Sequence, residues 1–114
     1  MAVFCEHVNL AGYTTLRLGG PARRFVEATT EEDLVGAVRA AETEGEPLLV
    51  LGGGSNLVIA DAGFPGTVVR IATTGFRLDG TRLELAAGEN WSAAVARTVE
   101  AGLAGIECLA GIPG

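Results

Sequence analysis

The sequence predicts an α+β fold that begins with a strand, a helix and a second strand. Within residues 23–51, apolar residues recur at helical spacing between two short strand-like runs. Further along, apolar and polar residues alternate on both sides of Asp79-Gly80, which is typical of a β-hairpin. The 114 residues have room for one modest core. Both patterns therefore belong to a single domain or to part of one.

The first unit is predicted in the N-terminal half of the chain. Residues 23–28 (RRFVEA) form a short strand candidate, and Thr29 with Glu32 fits a capping box at the start of the helix that follows. Gly45 ends this helix. Residues 47–51 (PLLVL) are a continuous apolar run, as expected of a strand covered on both faces. We expect these three elements to form a parallel βαβ unit.

Shorter elements are predicted after residue 56. Gly63, Pro65 and Gly66 exclude a helix there and predict a turn, and residues 67–71 (TVVRI) read as the next strand. The alternation around Asp79-Gly80 predicts a hairpin with these two residues as its loop.

A second helix is predicted from its cap and its spacing. Asn90 is a suitable N-cap, and Gly102 is a suitable terminator. Trp91, Val95 and Val99 share one face of this helix, so we expect Trp91 to pack in the core.

Composition and charge restrict the partners. The formal net charge is −6 and the eight basic residues are scattered, so the chain has no electrostatic footprint for nucleic acid or an anionic membrane. No apolar run approaches the ~20 residues of a membrane span, which favours the cytoplasm. A single histidine and the absence of a CxxC motif argue against a metal site. Cys5 and Cys108 are expected to be reduced thiols.

The candidate binding site is the glycine-rich sequence that follows the second predicted strand. A P-loop is excluded because no lysine follows its second glycine, and Leu57 replaces the third glycine of a dinucleotide fingerprint. What remains is a nest of backbone N–H groups that can bind a pyrophosphate without any cation, with Gly53 as the glycine that must take positive φ or admit the phosphate. The alternative of a simple tight turn between two strands stays open.

Two further loops are rich in glycine and proline. They are residues 18–22 (LGGPA) and residues 110–114 (AGIPG). The three loops either converge on one extended ligand or form three separate turns.

Three stretches of the sequence resemble one enzyme family. TLRLGGPA, LVLGGGSNLVIADAGFPGTVV and AGENWSAAVARTVEAGLAGIECLAGIPG, in this order and spacing, are similar to the N-terminal part of the UDP-N-acetylenolpyruvoylglucosamine reductases, also called UDP-N-acetylmuramate dehydrogenases. The resemblance runs from about Thr14 to the last residue. It implies an FAD-binding domain of the vanillyl-alcohol-oxidase/PCMH type, with a βαβ subdomain over residues 1–71 and the start of a second α+β subdomain over residues 72–114.

The resemblance also implies a role in peptidoglycan synthesis. In that family NADPH reduces FAD, and the flavin passes hydride to the enolpyruvyl group of a UDP-sugar. The FAD-binding residues implied here are Leu51, Gly52, Gly53, Gly54, Ser55, Asn56, Ile112, Pro113 and Gly114.

No catalytic residue is assigned from the resemblance. The family's substrate domain, with its proton-donating serine and its late glutamate, has no counterpart in these residues. We therefore expect a partial chain, incomplete at its C-terminal end, that is inactive and marginally stable by itself. Two alternatives stay open: another flavoprotein oxidoreductase of the same superfamily, and a small binding domain without flavin.

Overall fold

The structure is a computed structural model that describes residues 2–114. These residues form two β-sheets, two α-helices and two short 3-10 helices. In chain order the elements are β1 Phe4–Asn9, a 3-10 helix Leu10–Tyr13, β2 Pro21–Ala28, α1 Glu31–Glu44, β3 Leu48–Leu51, β4 Phe64–Ile71, β5 Phe76–Asp79, β6 Arg82–Leu85, α2 Trp91–Glu100 and a 3-10 helix Glu107–Leu109.

The larger sheet has the strand order β1-β2-β4-β3. β2, β4 and β3 run parallel, while β1 pairs antiparallel with β2 at the edge. The predicted parallel βαβ unit of β2, α1 and β3 is therefore confirmed, but β4 lies between its two strands. β1 was not predicted, since most of its residues are exposed and its sequence lacks clear alternation.

The N-cap of helix α1 lies one residue later than predicted. The hydroxyl of Thr30, not Thr29, accepts a hydrogen bond from the backbone N–H of Asp33 at 3.1 Å. Gly45 ends the helix in the left-handed conformation, with φ of 66°, as predicted. Ala37 and Ala41 are the buried residues of α1, and Ala37 packs on Val26 and Val69 of the sheet.

Strand β3 is not covered on both faces, so this part of the prediction is wrong. Leu51 is fully buried and Leu49 packs beside it, in a cluster that includes Leu10 and Val68. On the other face Leu48 is partly exposed and Val50 is 48% exposed. The physical reason is the position of β3 at the edge of the sheet, where α1 leaves this face partly uncovered.

Strand β4 begins inside the segment predicted as a turn. Two residue steps of β2, from Ala22 to Arg24, stand opposite three steps of β4, from Phe64 to Thr67, so the strand contains a β-bulge. Pro65 lies in this bulge, where a missing N–H is tolerated. The exclusion of a helix directly after residue 56 is confirmed.

Glu46 joins the beginnings of β2, β3 and β4. Its side chain is only 7% exposed, and its carboxylate accepts a hydrogen bond from the Thr67 hydroxyl at 2.6 Å. Arg23 and Arg24 lie 3.2 and 3.5 Å from the same carboxylate. The Thr67 hydrogen bond and the two arginines hold the pKa of Glu46 below its usual value.

The hairpin is confirmed, but its loop is displaced by one residue. Asp79 pairs with Arg82, so the loop consists of Gly80, with φ of 59°, and Thr81. This register places Arg77 opposite Glu84 and Asp79 opposite Arg82. An Asp79-Gly80 loop would instead set Arg77 against Arg82, and like charges in direct opposition are unfavourable.

Helix α2 has the predicted cap and terminator. The Asn90 side chain accepts a hydrogen bond from the N–H of Ala93 at 2.9 Å, and Gly102 follows the helix with φ of 76°. The buried face differs from the prediction. Val95 is buried, but Val99 is 51% exposed and Trp91 is half-buried outside the two core clusters.

Candidate cofactor-binding site

The glycine loop, residues 52–56, leaves the carboxyl end of β3. β3 is parallel to β4, and open parallel sheets bind ligands beyond the carboxyl ends of their strands. The Leu51 side chain is fully buried and anchors the loop in the core. Gly52, Gly53, Ser55 and Asn56 are exposed. The exposed backbone of the glycine loop is therefore attached directly to a residue that is buried in the core.

The glycine loop faces the last residues of the chain across a cavity of about 210 Å³, which we call the loop cavity. The backbone oxygen of Gly114 lies 3.7 Å from the position of a Cβ on Gly53. All the predicted site residues except Leu51 and Ile112 line this cavity, together with Val50 and Leu57. Leu51 lies beneath it, and Ile112 is exposed beside it. Two glycine-rich segments far apart in sequence thus come together.

The three glycines of the loop have different structural roles. Gly54 has φ of 75°, and a Cβ there would lie 1.9 Å from the backbone oxygen of Tyr13. Gly54 is therefore required by the packing of the chain itself. A Cβ on Gly52 would meet nothing within 4 Å, and neither Gly52 nor Gly53 has positive φ. Of the two reasons offered for a glycine at position 53, positive φ does not apply, because Gly54 has the positive φ; room for a phosphate stays a prediction.

The backbone of the glycine loop offers consecutive donors. Within residues 2–114, the N–H groups of Gly53, Gly54, Ser55 and Asn56 donate no hydrogen bond to a carbonyl of a loop or turn. Within residues 2–114, no side chain accepts a hydrogen bond from these four N–H groups either. Consecutive free N–H groups suit the oxygens of a phosphate, and the open space over Gly52 and Gly53 is where a side chain would obstruct it. The residues present fit the pyrophosphate of a dinucleotide.

A second cavity of about 360 Å³ adjoins the same glycines, and we call it the arginine cavity. It is lined by Gly12, Tyr13, Thr14, Thr15, Arg17, Gly52, Gly53 and Arg70. The glycine loop was predicted to bind a pyrophosphate without any cation, whereas two arginines line the cavity that adjoins it. Arg70 approaches from β4, which no local pattern could indicate. Arg17 belongs to the stretch TLRLGGPA, and this is the signal that could have found it.

Residues 18–22 do not join the site. The N–H of Gly20 donates to the backbone oxygen of Ala60 at 2.9 Å. A Cβ on Gly20 would lie 1.9 Å from the backbone oxygen of Asp61. These contacts make this loop a close packing point between two backbone segments, so only two of the three glycine-rich loops converge.

The first turn of α2 holds the C-terminal wall of the loop cavity. The indole N–H of Trp91 donates to the backbone oxygen of Leu109 at 2.8 Å, and the N–H of Gly111 donates to the Ser92 hydroxyl at 3.2 Å. A Cβ on Gly114 would lie 3.3 Å from the Trp91 Cβ. Trp91 therefore positions the terminal loop, in place of the predicted core packing.

The remaining candidate groups lie apart from this site. Cys5 and Cys108 are free and exposed, and His7 is exposed on β1. Among the described residues, no three His, Cys, Asp or Glu side chains are grouped so as to hold a metal ion. Within residues 2–114, no helix combines the length and apolar character needed to cross a membrane.

Comparison with known proteins gives consistent matches. Residues 22–114 match the family described as "FAD binding domain". UDP-N-acetylenolpyruvoylglucosamine reductase of Streptomyces avermitilis is 70% identical over 105 residues, which cover 92% of this chain and 29% of that protein. The Streptomyces coelicolor protein of the same name is also 70% identical over 105 residues, covering 92% of this chain and 27% of that protein.

A solved structure matches as well. The crystal structure of UDP-N-acetylenolpyruvylglucosamine reductase from Thermus caldophilus covers 99% of this chain with a TM-score of 0.75 and 35% sequence identity. The matched region is 39% of that chain. The present chain thus spans less than a third of the length of the two Streptomyces relatives.

Proposed function

This chain belongs to the FAD binding domain family, and we propose that it forms the FAD-binding part of a UDP-N-acetylenolpyruvoylglucosamine reductase. The α+β fold of the vanillyl-alcohol-oxidase/PCMH type and FAD as the cofactor are confirmed by the family match. The reductase activity is proposed from two Streptomyces relatives that are 70% identical over 105 residues. A flavin-free binding domain is not favoured, because the family match covers most of the chain.

One structural observation supports this proposal above the others. The glycine loop combines a run of free N–H groups with open space over Gly52 and Gly53, and it faces Pro113 and Gly114 across one cavity. We propose that residues 52–56 bind the pyrophosphate of FAD. Residues 112–114 then contact the same cofactor from the opposite wall.

The residues of this chain position the cofactor, and we assign none of them to catalysis. When bound, FAD would supply hydride-transfer chemistry, which in the proposed reductase would connect NADPH with the enolpyruvyl group of the UDP-sugar. The free N–H groups of residues 53–56 would hold the dinucleotide, and Trp91 and Ser92 hold the terminal loop that would face it. NADPH and the UDP-sugar belong to the proposed activity of the whole protein.

We also propose two subdomains, with a boundary near residue 71. The four-stranded sheet ends at Ile71, and the separate hairpin begins at Phe76. The glycine loop belongs to the first subdomain, residues 1–71, and residues 112–114 belong to the second, residues 72–114. A cofactor held between two subdomains would contact both of these segments.

Two measurements test the proposal: first flavin binding, and then turnover. We expect the purified native protein that contains these 114 residues to be yellow and to release FAD, not FMN, on denaturation. We expect it to oxidise NADPH only when UDP-N-acetylglucosamine enolpyruvate is added. Bound FAD with no such turnover would favour another flavoprotein oxidoreductase, and a protein that binds no FAD would refute the proposal. The isolated 114-residue polypeptide is expected to show no turnover.

A further inference from the structure

Arg17 is held in an unusual backbone conformation beside the glycine loop. Its φ is 58°, in the left-handed region that a residue with a Cβ enters only at a cost in free energy. The surrounding turn enforces this conformation. The N–H of Arg17 donates to the backbone oxygen of Thr14 at 3.1 Å, and the buried Thr14 hydroxyl is within hydrogen-bond distance of both backbone groups of Leu18.

The turn that carries Arg17 is fastened to the glycine loop. The N–H of Thr15 donates to the backbone oxygen of Gly54 at 3.1 Å. The backbone of Tyr13 occupies the space that a side chain on Gly54 would need. Arg17 therefore has a fixed backbone position relative to the loop donors, and it lines the arginine cavity together with Gly52 and Gly53.

The Arg17 guanidinium is exposed and carries an uncompensated charge. Among residues 2–114 its side chain forms no ion pair, hydrogen bond or ring contact. Arg70 lines the same cavity, but it pairs with Glu27 at 2.8 Å and lies over the Tyr13 ring. Although the chain has a net charge of −6, the Arg17 guanidinium is unpaired and lies next to free N–H groups, so it is available to an anionic ligand.

We propose that Arg17 binds the pyrophosphate of FAD, as the cationic partner of the glycine-loop N–H groups. A guanidinium presents paired donors that match phosphate oxygens, and it keeps its charge at every physiological pH. Because Arg17 has a left-handed backbone conformation, its side chain leaves the backbone beside Gly52 and Gly53. This inference rests on the proposed FAD site and adds a residue from a different segment of the chain.

The test uses the native protein that contains this chain, with FAD removed and titrated back by fluorescence quenching. Arg17→Gly removes the guanidinium but tolerates the left-handed backbone, so the turn is preserved. We expect the Kd for FAD to rise about tenfold or more, because one charge-assisted hydrogen-bonding group is lost. We also expect the affinity to depend less steeply on salt than in the wild type.

Two further variants separate charge from structure. Arg17→Lys restores a positive charge and should recover part of the affinity and of the salt dependence. Arg39→Ala removes an equal charge from the exposed face of α1 and should leave both unchanged. Thermal unfolding of the FAD-free proteins should show the same Tm for Arg17→Gly as for the wild type, within a few degrees.

Specific results would overturn the assignment of Arg17. If Arg17→Gly binds FAD as tightly as the wild type while Gly53→Val does not, the role of Arg17 is wrong and the glycine-loop site stands. A loss of affinity with an unchanged salt dependence would show that Arg17 acts only through the fold. A wild-type protein that binds no FAD would refute both proposals.

Discussion

The two parts of the glycine loop are alike in sequence and different in structure. At Gly54 the chain is packed against its own backbone, with Tyr13 in the space of a side chain and φ of 75°. At Gly52 and Gly53 the backbone faces open cavities, and neither residue has positive φ. The three consecutive glycines therefore have two different structural roles. Gly54 serves the fold, whereas we propose that Gly52 and Gly53 keep space for a ligand.

The same division extends beyond the loop. Gly20 and Gly63, like Gly54, have backbone oxygens at about 1.9 Å from the position of a Cβ, as close packing of two segments requires. Gly111, like Gly52, would meet nothing within 4 Å, although its φ of 80° by itself favours glycine. The difference teaches that a glycine-rich motif marks a ligand site only where the protein itself leaves the glycine unfilled. Substitutions at the two kinds of position should separate stability from cofactor affinity.

The largest effect is expected at the packed position. Gly54→Ala places a methyl group on the Tyr13 backbone and forces a positive φ on alanine, so we expect a loss of roughly 3 kcal/mol or more in the free energy of unfolding. Denaturant unfolding of the FAD-free protein measures this. Gly52→Ala is the matched control and should change stability little. A Gly54→Ala variant as stable as the wild type would contradict the division.

The next effect is expected at the open position, and on affinity instead of stability. Gly53→Val fills the space over the loop with a branched side chain, so we expect FAD affinity to fall tenfold or more, on the scale of about 1.4 kcal/mol per tenfold. Fluorescence titration gives the Kd, and circular dichroism shows whether helices and strands persist. Unchanged FAD binding in a folded Gly53→Val protein would mean that the loop is only a turn.

A smaller effect on affinity is expected from the side chain next to these glycines. Ser55 is exposed, and its hydroxyl is proposed to supplement the backbone donors. Ser55→Ala should weaken FAD binding by about 1 kcal/mol, less than Gly53→Val does, because one hydrogen bond is lost while the backbone donors remain. Ser92→Ala, which removes the hydrogen bond to Gly111, tests instead the opposite wall of the loop cavity. The comparison fails if Ser55→Ala lowers stability and leaves the Kd unchanged.

The smallest effect concerns the end of β3 opposite to the glycine loop. Because its partners lower the pKa of Glu46, the carboxylate stabilises the fold above its usual value near 4.5, and this contribution is lost as the pH falls through the lowered pKa. Glu46→Gln should therefore reduce Tm at pH 7 by less than Gly54→Ala does, and the deficit should shrink in acid. FAD affinity at pH 7 should not change. A deficit that grows as the pH falls would have the wrong sign.

Much of the fold was predictable because its signals act within a few residues. Gly45 ends α1 and Asn90 caps α2 through hydrogen bonds to neighbouring backbone groups, so sequence suffices to find them. The hairpin was located by its alternation, but its register was not, since the pairing of Arg77 with Glu84 depends on the whole ladder. The cap at Thr30 was missed by one residue, as two adjacent threonines offer the same chemistry.

The candidate site also has features that could be predicted from the sequence and features that could not. The sequence alone determined that the glycine-rich segment follows a strand without a helix behind it, and it carried the motifs whose family match is confirmed. Which of its residues bind FAD remains a prediction.

Only the tertiary structure decided which glycine is packed, which is open, and that Arg17 and Arg70 lie beside them. It also placed β4 between β2 and β3, with Pro65 in a bulge. These features depend on contacts between segments far apart in the chain. The residue type shows what a position tolerates. Which neighbours a glycine or an arginine meets is fixed only when the chain has folded.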